Sequence, residues 1–367
     1  MSAKRWRYFD PLLVTVSLLL TVYGIAMIYA ALAAPGADGA ARSAAIREGL
    51  YGLIGVALLL TACLVDYRVF RAMFWPLCAG NVLLLLAVLV LGRASGGAQR
   101  WLNLGIIPFQ PSELGKLLVI LTLARVLADI GDRIIFVRWV LLSLLVAAVP
   151  AALVYPQPDL GTALVYIAIW VGMAAAAGVR IRHFLALLLA IAASAPIAVR
   201  YLHAYQINRL TIFLDPQKDP TGAGYNIIQA LIAIGSGGWM GQGWAQGAQS
   251  QLHYLRVQQS DFIFSAIAEQ LGFLGCVLLF FLFGMLLSRL LAAAAVAQDL
   301  YGRLVAVGVM WMILFQGFVN IGMNLQIMPV TGIPLPFISA GGSSLITCLL
   351  AVGIVQSVRM RQRKLQF

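Results

Sequence analysis

An all-α, polytopic membrane fold is what this chain predicts, on three observations. Of its 367 residues 62% are hydrophobic and only 10% charged, whereas water-soluble domains carry about 25% charged residues, so a soluble enzyme is excluded. The mean hydropathy of +0.93 comes from charge-free runs of the roughly 20 residues that a helix needs to cross a bilayer. The cations lie between those runs and not along one exposed face, so the net charge of +12 reads as membrane topology and not as a nucleic-acid footprint.

Taken in order, a window of 19–20 residues puts transmembrane helices at 11–32, 49–65, 73–92, 111–128, 136–155, 160–178, 183–202, 262–291, 302–325 and 341–357, ten in all. The first follows Lys4, Arg5 and Arg7 and is too long for a cleavable signal, so it is expected to be retained. The fourth opens with Gln110-Pro111-Ser112-Glu113, proline in the first turn being a good helix start. With the tails and alternate loops in the cytoplasm, and Arg138, Arg289 and Arg303 at span ends counted with them, 15 of the 25 Lys and Arg lie inside and 7 outside, Lys116, Arg125 and Arg200 being counted to the spans. Both termini are therefore expected in the cytoplasm.

Two segments break the pattern. Residues 203–261, between spans seven and eight, form a large extracellular loop with Asp215-Pro216, Asp219-Pro220 and Gly235-Ser236-Gly237-Gly238 as turn chemistry. Before span ten, Pro329, Gly332, Pro334, Pro336, Gly341 and Gly342 cannot continue a helix. That stretch is expected to re-enter from the outer leaflet and line a cavity, because irregular backbone at membrane depth needs protein or water partners. The chain reads as one domain, 1–367, with no internal repeat of the kind symmetric transporters carry. Cys63, Cys78, Cys276 and Cys348 lie in apolar segments without CxxC spacing, and the three histidines are scattered, so no disulfide framework or protein metal site is expected.

Ionisable groups in apolar segments are costly and hence informative. Glu113 and Lys116, three apart, share a helix face; they either neutralise each other or border a polar cavity. Asp261 stands where the long loop meets span eight, as a helix N-cap that could also serve as a base. Glu269, eight residues on, shares that face and would point at the same cavity, though a buried, hydrogen-bonded carboxyl is the plainer reading. Asp159 caps span six or faces the same vestibule. Arg100, beside Trp101, is an interfacial anchor or a bidentate phosphate ligand.

These residues sit in ordered motifs: Arg100-Trp101-Leu102; Phe109-Gln110-Pro111-Ser112-Glu113 with Lys116; Gln157-Pro158-Asp159-Leu160-Gly161-Thr162; Gly222 to Gln229 running to Gly238; Ser260-Asp261-Phe262-Ile263-Phe264; and Pro329 to Ser339 with Gly341-Gly342-Ser343-Ser344. Over nearly its whole length the chain resembles the SEDS family (shape, elongation, division and sporulation), and its elongation members more than its division members. It departs from the family pattern at Leu255-Arg256-Val257, Gln259 and Ala340, in loop positions around an aspartate that stays in register.

The resemblance implies a peptidoglycan glycosyltransferase in the bacterial cytoplasmic membrane. Such an enzyme polymerises lipid II on the outer face for elongation and rod shape, together with a class B penicillin-binding protein. Asp261 would be the general base, Arg100, Lys116 and Arg209 would meet the departing undecaprenyl diphosphate, and Glu113 would orient Lys116. Asp159 and Glu269 would support the site. A divalent cation, magnesium or manganese, would travel mainly with the diphosphate. A lipid II flippase and a scaffold for the penicillin-binding protein are the competing classes. Glu113, Lys116, Asp159 and Asp261 all fall on the outer side of the expected topology, which favours outer-face chemistry over alternating access.

Overall fold

The computed structural model describes residues 3–33, 38–95, 98–103, 108–198, 204–220, 222–252, 254–255 and 257–362. Its helices are α1 (Pro11–Leu32), α2 (Asp38–Leu64), α3 (Arg68–Ala72), α4 (Phe74–Leu91), α5 (Pro111–Ile130), α6 (Val137–Val154), α7 (Leu160–Ala176), α8 (Ile181–Ala198), α9 (Ala204–Leu214), α10 (Ala223–Ser236), α11 (Ala248–Gln251), α12 (Ile263–Ala295), α13 (Leu300–Asn324) and α14 (Gly342–Met360). Each apolar segment read from the sequence overlaps a helix among the described residues, the last part of the seventh, 199–202, lying outside them. Seven of them, α1, α2, α4, α6, α12, α13 and α14, are each long and apolar enough to cross a membrane. The helix α7 is apolar but shorter, as is the apolar stretch Ile181–Ser194 of α8, and α5 carries Glu113, Lys116, Arg125 and Asp129 in its 20 residues.

The centre of the bundle is α14, whose apolar window is 83% buried, whereas α4, at 17%, lies on the periphery. Small residues let the backbones close up there. A Cβ on Gly353 would stand 2.5 Å from the Leu59 carbonyl, and one on Gly342 would run into the Tyr51 ring, which is how α14 and α2 pack so tightly. Around them, α13 packs on α5, α7, α12 and α14. On α1, Gly24 faces the backbone of the Pro/Gly segment, where a Cβ would be 2.5 Å from the Phe337 carbonyl. Gly24→Leu is therefore expected to lower stability by about 1–3 kcal/mol through overpacking, read as a drop in melting temperature in detergent.

Ion pairs mark the end of the bundle that holds the N-terminus. Asp10 takes Arg289 at 2.6 Å and Arg359 at 3.0 Å, Asp66 takes Arg361 at 3.1 Å, Asp299 takes Arg68 at 3.2 Å, and Asp129 takes Arg71 at 2.7 Å. Asp10 and Asp299 also cap α1 and α13, each accepting from a backbone N–H of the first turn.

Three features differ from the sequence reading. The class is not purely helical: β1 (Arg93–Ser95), β2 (Ala98–Asn103) and β3 (Pro108–Phe109) form an antiparallel sheet between α4 and α5. The long 203–261 connection is not mainly turns, since α9, α10 and α11 occupy much of it and Gly235-Ser236 are the end of α10. Finally, α12 is broken at Gly272, whose φ of 66° and ψ of −160° leave the helical region. The break strands peptide groups, and residues 238–243 satisfy them: Gln242 N–H donates to the Glu269 carbonyl (2.9 Å), Gly243 N–H to Gln270 (3.1 Å), while Phe273 and Leu274 N–H donate to Gly238 (2.9 Å) and Trp239 (3.2 Å). Glycine is required at this point, because a Cβ on Gly272 would collide with the backbone of Met240 and Gly241 and the φ is left-handed.

Candidate active site

The site lies at the bundle end remote from the ion-pair belt, where α5, α7, α12 and the Pro/Gly segment meet. Asp261 precedes α12, but it is not the N-cap the sequence suggested. Phe262 holds that position, and no side chain caps the helix. The Asp261 main chain is fixed instead by α13: Asn324 Nδ2 donates to its carbonyl at 3.0 Å and Asn320 Nδ2 at 3.3 Å. Its carboxylate is thereby left for other work. Ser260 Oγ donates to Oδ1 at 3.0 Å, and Oδ2 accepts nothing among the described residues.

The Pro/Gly segment 325–341 is irregular, as the sequence required, with Ile333 and residues 335–339 buried, and protein groups satisfy part of its backbone. Asn320 Nδ2 donates to the Ile333 carbonyl at 2.8 Å, Ser339 Oγ to the Ser260 carbonyl at 2.5 Å, and Ala340 N–H to the Gln259 carbonyl at 2.8 Å. The departures at Gln259 and Ala340 thus meet through main-chain atoms, a contact indifferent to either side chain; Arg256 lies outside the described residues. Gly332, at φ +72°, passes so close that a Cβ there would be 3.7 Å from Asp261 Oδ2. From α7, Gly161 admits the same segment against Thr331 and Ile333.

Cations and a second carboxylate flank Asp261. Arg209 donates to the Val330 carbonyl at 3.2 Å. Arg100 donates to the carbonyls of Gln157 (3.1 Å) and Pro158 and stands 3.9 Å from Asp159. Asp159 caps α7 through Thr162 N–H (3.2 Å) and also accepts from Thr162 Oγ1 (3.0 Å) and Gln110 Nε2 (3.4 Å). Burial pushes the Asp261 carboxyl above the usual carboxylate range; the Ser260 hydroxyl and the charges of Arg209 and Arg100 pull it back, and Asp159 adds to the rise. A carboxylate whose proton affinity is raised, beside two guanidinium groups, can accept a proton while an anion is bound next to it.

Of the residues singled out from the sequence, Arg100, Asp159 and Arg209 are in electrostatic reach of Asp261. Glu113 and Lys116 form a pair at 2.6 Å with side chains 3% and 2% exposed. They lie one helical turn inside Gln110 and Ser112, and Lys116 is closed off from the recess surface and not presented to it. Glu269 does not point at the Asp261 recess either. Its carboxylate takes Gln249 N–H (2.6 Å), Ser250 N–H (3.1 Å) and Ser250 Oγ (2.6 Å), so it anchors the loop that leads to Asp261.

Sequence reasoning missed the groups that hold this loop. Gln258 Nε2 donates to the Ala31 carbonyl at 2.6 Å and Gln270 Nε2 to Ala30 at 3.2 Å, tying both flanks of Asp261 to the end of α1. It also missed Asn320 and Asn324, whose i, i+4 spacing on an otherwise apolar helix was the available signal. On α10, Ala230 and Ala233 pack with Leu255, Phe262 and Val330, bracing the chain immediately beside Asp261.

The fold and site define a multi-pass helical membrane protein in which, among the described residues, the Asp261 carboxylate has one oxygen uncommitted and two guanidinium charges in reach. The comparisons give it a family: a family model described as a cell cycle protein, FtsW, RodA and SpoVE, matches residues 10–364, and the chain belongs to that family. Peptidoglycan glycosyltransferase MrdB of Escherichia coli K12 is 38% identical over 360 residues, covering 98% of this chain and 95% of that one. Stage V sporulation protein E of Bacillus subtilis is 39% identical over 362 residues, covering 96% and 98%. Among solved structures, one from work on the structural coordination of polymerization and crosslinking by a peptidoglycan synthase complex superposes with a TM-score of 0.81 at 33% identity, covering 96% and 98%. The crystal structure of the rod shape determining protein RodA of Thermus thermophilus gives 0.73 at 31% identity, covering 98% and 99%.

Proposed function

We propose that this chain is a peptidoglycan glycosyltransferase of the RodA type, which polymerises lipid II into glycan strands on the outer face of the bacterial cytoplasmic membrane during elongation. Its glycosyltransferase activity rests on family membership. The observation that carries the mechanism is Asp261, half-buried, with one carboxylate oxygen uncommitted and Arg100 and Arg209 in electrostatic reach. The chain would run as one domain through ten spans with both termini in the cytoplasm. Residues 203–261 and the Pro/Gly segment would then lie at the outer leaflet.

In this reading the Asp261 carboxylate takes the proton from a sugar hydroxyl of the acceptor. That oxygen attacks the donor's anomeric carbon as the bond to undecaprenyl diphosphate breaks, with inversion. Glycosidases usually employ a second carboxyl to protonate an alcohol leaving group; a diphosphate leaves without one. Arg100, held by two carbonyls, and Arg209, which donates to the Val330 carbonyl, are the guanidinium charges that meet it. Lys116 lies too deep for that contact in the conformation described, so its part is taken with Glu113 beneath the recess.

The recess suits a divalent cation only as a companion of the diphosphate. Among the described residues no three His, Cys, Asp or Glu side chains cluster, and both Asp159 oxygens are engaged, which leaves Asp261 as the carboxylate able to touch such an ion. When bound, magnesium or manganese would neutralise diphosphate charge. The class B penicillin-binding protein is the proposed partner, in keeping with the synthase complex among the structural neighbours. For a flippase, matching uncommitted carboxylates inside the opposite end of the bundle would be useful, but Asp10, Asp66, Asp129 and Asp299 are ion-paired there and Asp132 is exposed on the surface.

The direct test incubates purified protein, alone and with its penicillin-binding partner, with labelled lipid II and scores glycan strands. Vesicles carrying fluorescent lipid II score translocation in the same preparation, and translocation without polymer would refute the proposal. The pH dependence is a second test. Asp261 works ionised and its carboxyl is raised, so kcat/KM falls on acidification with its midpoint above the ordinary value of about 3.9. Arg209→Gln removes a charge that favours the carboxylate, so the acid limb moves to higher pH; a limb that stays put would detach Arg209 from Asp261.

A further inference from the structure

At the end of the bundle opposite Asp261, a cleft of about 710 Å³ opens between α7, α12 and α13. Its walls are apolar, with Ala176, Leu291, Ala294, Val307, Met310 and Trp311 among them, and its rim carries Gln298, Asp299 and Arg303. The rim groups differ in what holds them. Gln298 accepts from Arg68 and donates to the Gln362 carbonyl. Asp299 accepts from Tyr67 Oη at 2.8 Å, Arg68 Nε at 3.2 Å and Gly302 N–H at 2.7 Å. The Arg303 side chain is exposed and its guanidinium has no hydrogen bond or ion pair among the described residues. At 1.5 Å per residue, Arg303 is about 30 Å along α13 from Asn324, which holds Asp261, so the cleft is separate from the recess.

A lone guanidinium at the mouth of an apolar, membrane-facing cleft matches the chemistry of an anionic phospholipid. The acyl chains would fill the apolar walls, and the phosphate at headgroup level would meet the exposed Arg303 guanidinium at the start of α13. Basic pockets between spans on the cytoplasmic side bind acidic headgroups in this way. We propose that this cleft is a binding site for one anionic phospholipid of the leaflet opposite Asp261, with Arg303 as its phosphate ligand. On the orientation proposed above that is the inner leaflet.

Trp311 lines the cleft, its ring against Gly172, and provides a probe that does not depend on glycan synthesis. The purified protein is titrated in nanodiscs or micelles with phosphatidylglycerol or phosphatidylcholine carrying the same brominated chains, and tryptophan quenching is measured. The Trp311 contribution is the difference between the protein and its Trp311→Phe variant. The expected result is Trp311 quenching by phosphatidylglycerol at a lower mole fraction than by phosphatidylcholine. Arg303→Gln is expected to lose that preference and Arg303→Lys to keep it. Equal quenching by the two lipids, or a preference that survives in Arg303→Gln, would overturn the proposal. So would the absence of Trp311 quenching by either lipid, which would mean that protein covers the cleft. Because no lipid II is turned over, this outcome is independent of the polymerisation assay.

Discussion

Asp261→Ala is expected to abolish glycan polymerisation while leaving a folded, membrane-inserted protein. Removing a general base costs on the order of 10²–10⁴ in rate, about 3–5 kcal/mol of transition-state stabilisation at 1.36 kcal/mol per decade. The fold has little reason to respond. The bonds that fix this position go to the Asp261 carbonyl, from Asn320 and Asn324, and survive any side-chain change. The side chain itself loses only the Ser260 hydroxyl, and its removal relieves a desolvated charge. Asp261→Asn keeps the shape and the Ser260 bond without the basicity, and the same loss is expected. Polymer yield from labelled lipid II together with the melting temperature separates the outcomes: a stable Asp261→Asn variant with more than a tenth of normal activity would remove the base assignment.

The same geometry explains what could be read in the sequence and what could not. The helices were legible because apolar runs of span length have one economical solution in a bilayer. The Pro/Gly segment was legible because proline and glycine at that density forbid a helix. The Asp159 cap was also legible, from Asp followed by Leu160-Gly161-Thr162, a local interaction three residues long. Asp261 looked like the same local motif, but a long-range contact from Asn320 and Asn324, 59 and 63 residues away, decided its conformation. Likewise, Glu269 shares a helix face with Asp261, and periodicity alone directs both to one cavity. The break at Gly272 and the loop threaded past it redirect that carboxylate onto Ser250. A glycine inside a run of 33 helical residues carries no signal for the partner segment 238–243, whose bonds reach it across 27 to 35 residues of chain. The β1–β3 sheet was missed for a related reason: its strands are two to six residues long, too short for an alternation to register.

Breaking the Glu113–Lys116 pair is the other change with a large expected effect. Both side chains are almost wholly buried and their charged atoms are 2.6 Å apart. Removing either partner leaves an uncompensated charge in low dielectric, a loss of about 3–5 kcal/mol, so Glu113→Gln and Lys116→Met should each lower the melting temperature sharply and reduce activity. The double variant Glu113→Gln, Lys116→Met strands no charge, and its stability is expected to return close to that of the starting protein. Its activity is not. A lysine ammonium has three N–H donors, and this one donates to Glu113 alone among the described residues, an arrangement that is poor as a purely structural element. The pair also lies next to Ser112, whose carbonyl accepts from Tyr166 Oη at 3.0 Å and whose hydroxyl accepts from Gln110, the residue that reaches Asp159. In the proposed reaction the buried ammonium touches no diphosphate and acts on the recess only through the field of the Glu113–Lys116 dipole, which an uncharged pair does not supply. A double variant that regains both stability and polymerisation would reduce the pair to a helix pin. One that regains stability alone would assign its charge to the reaction.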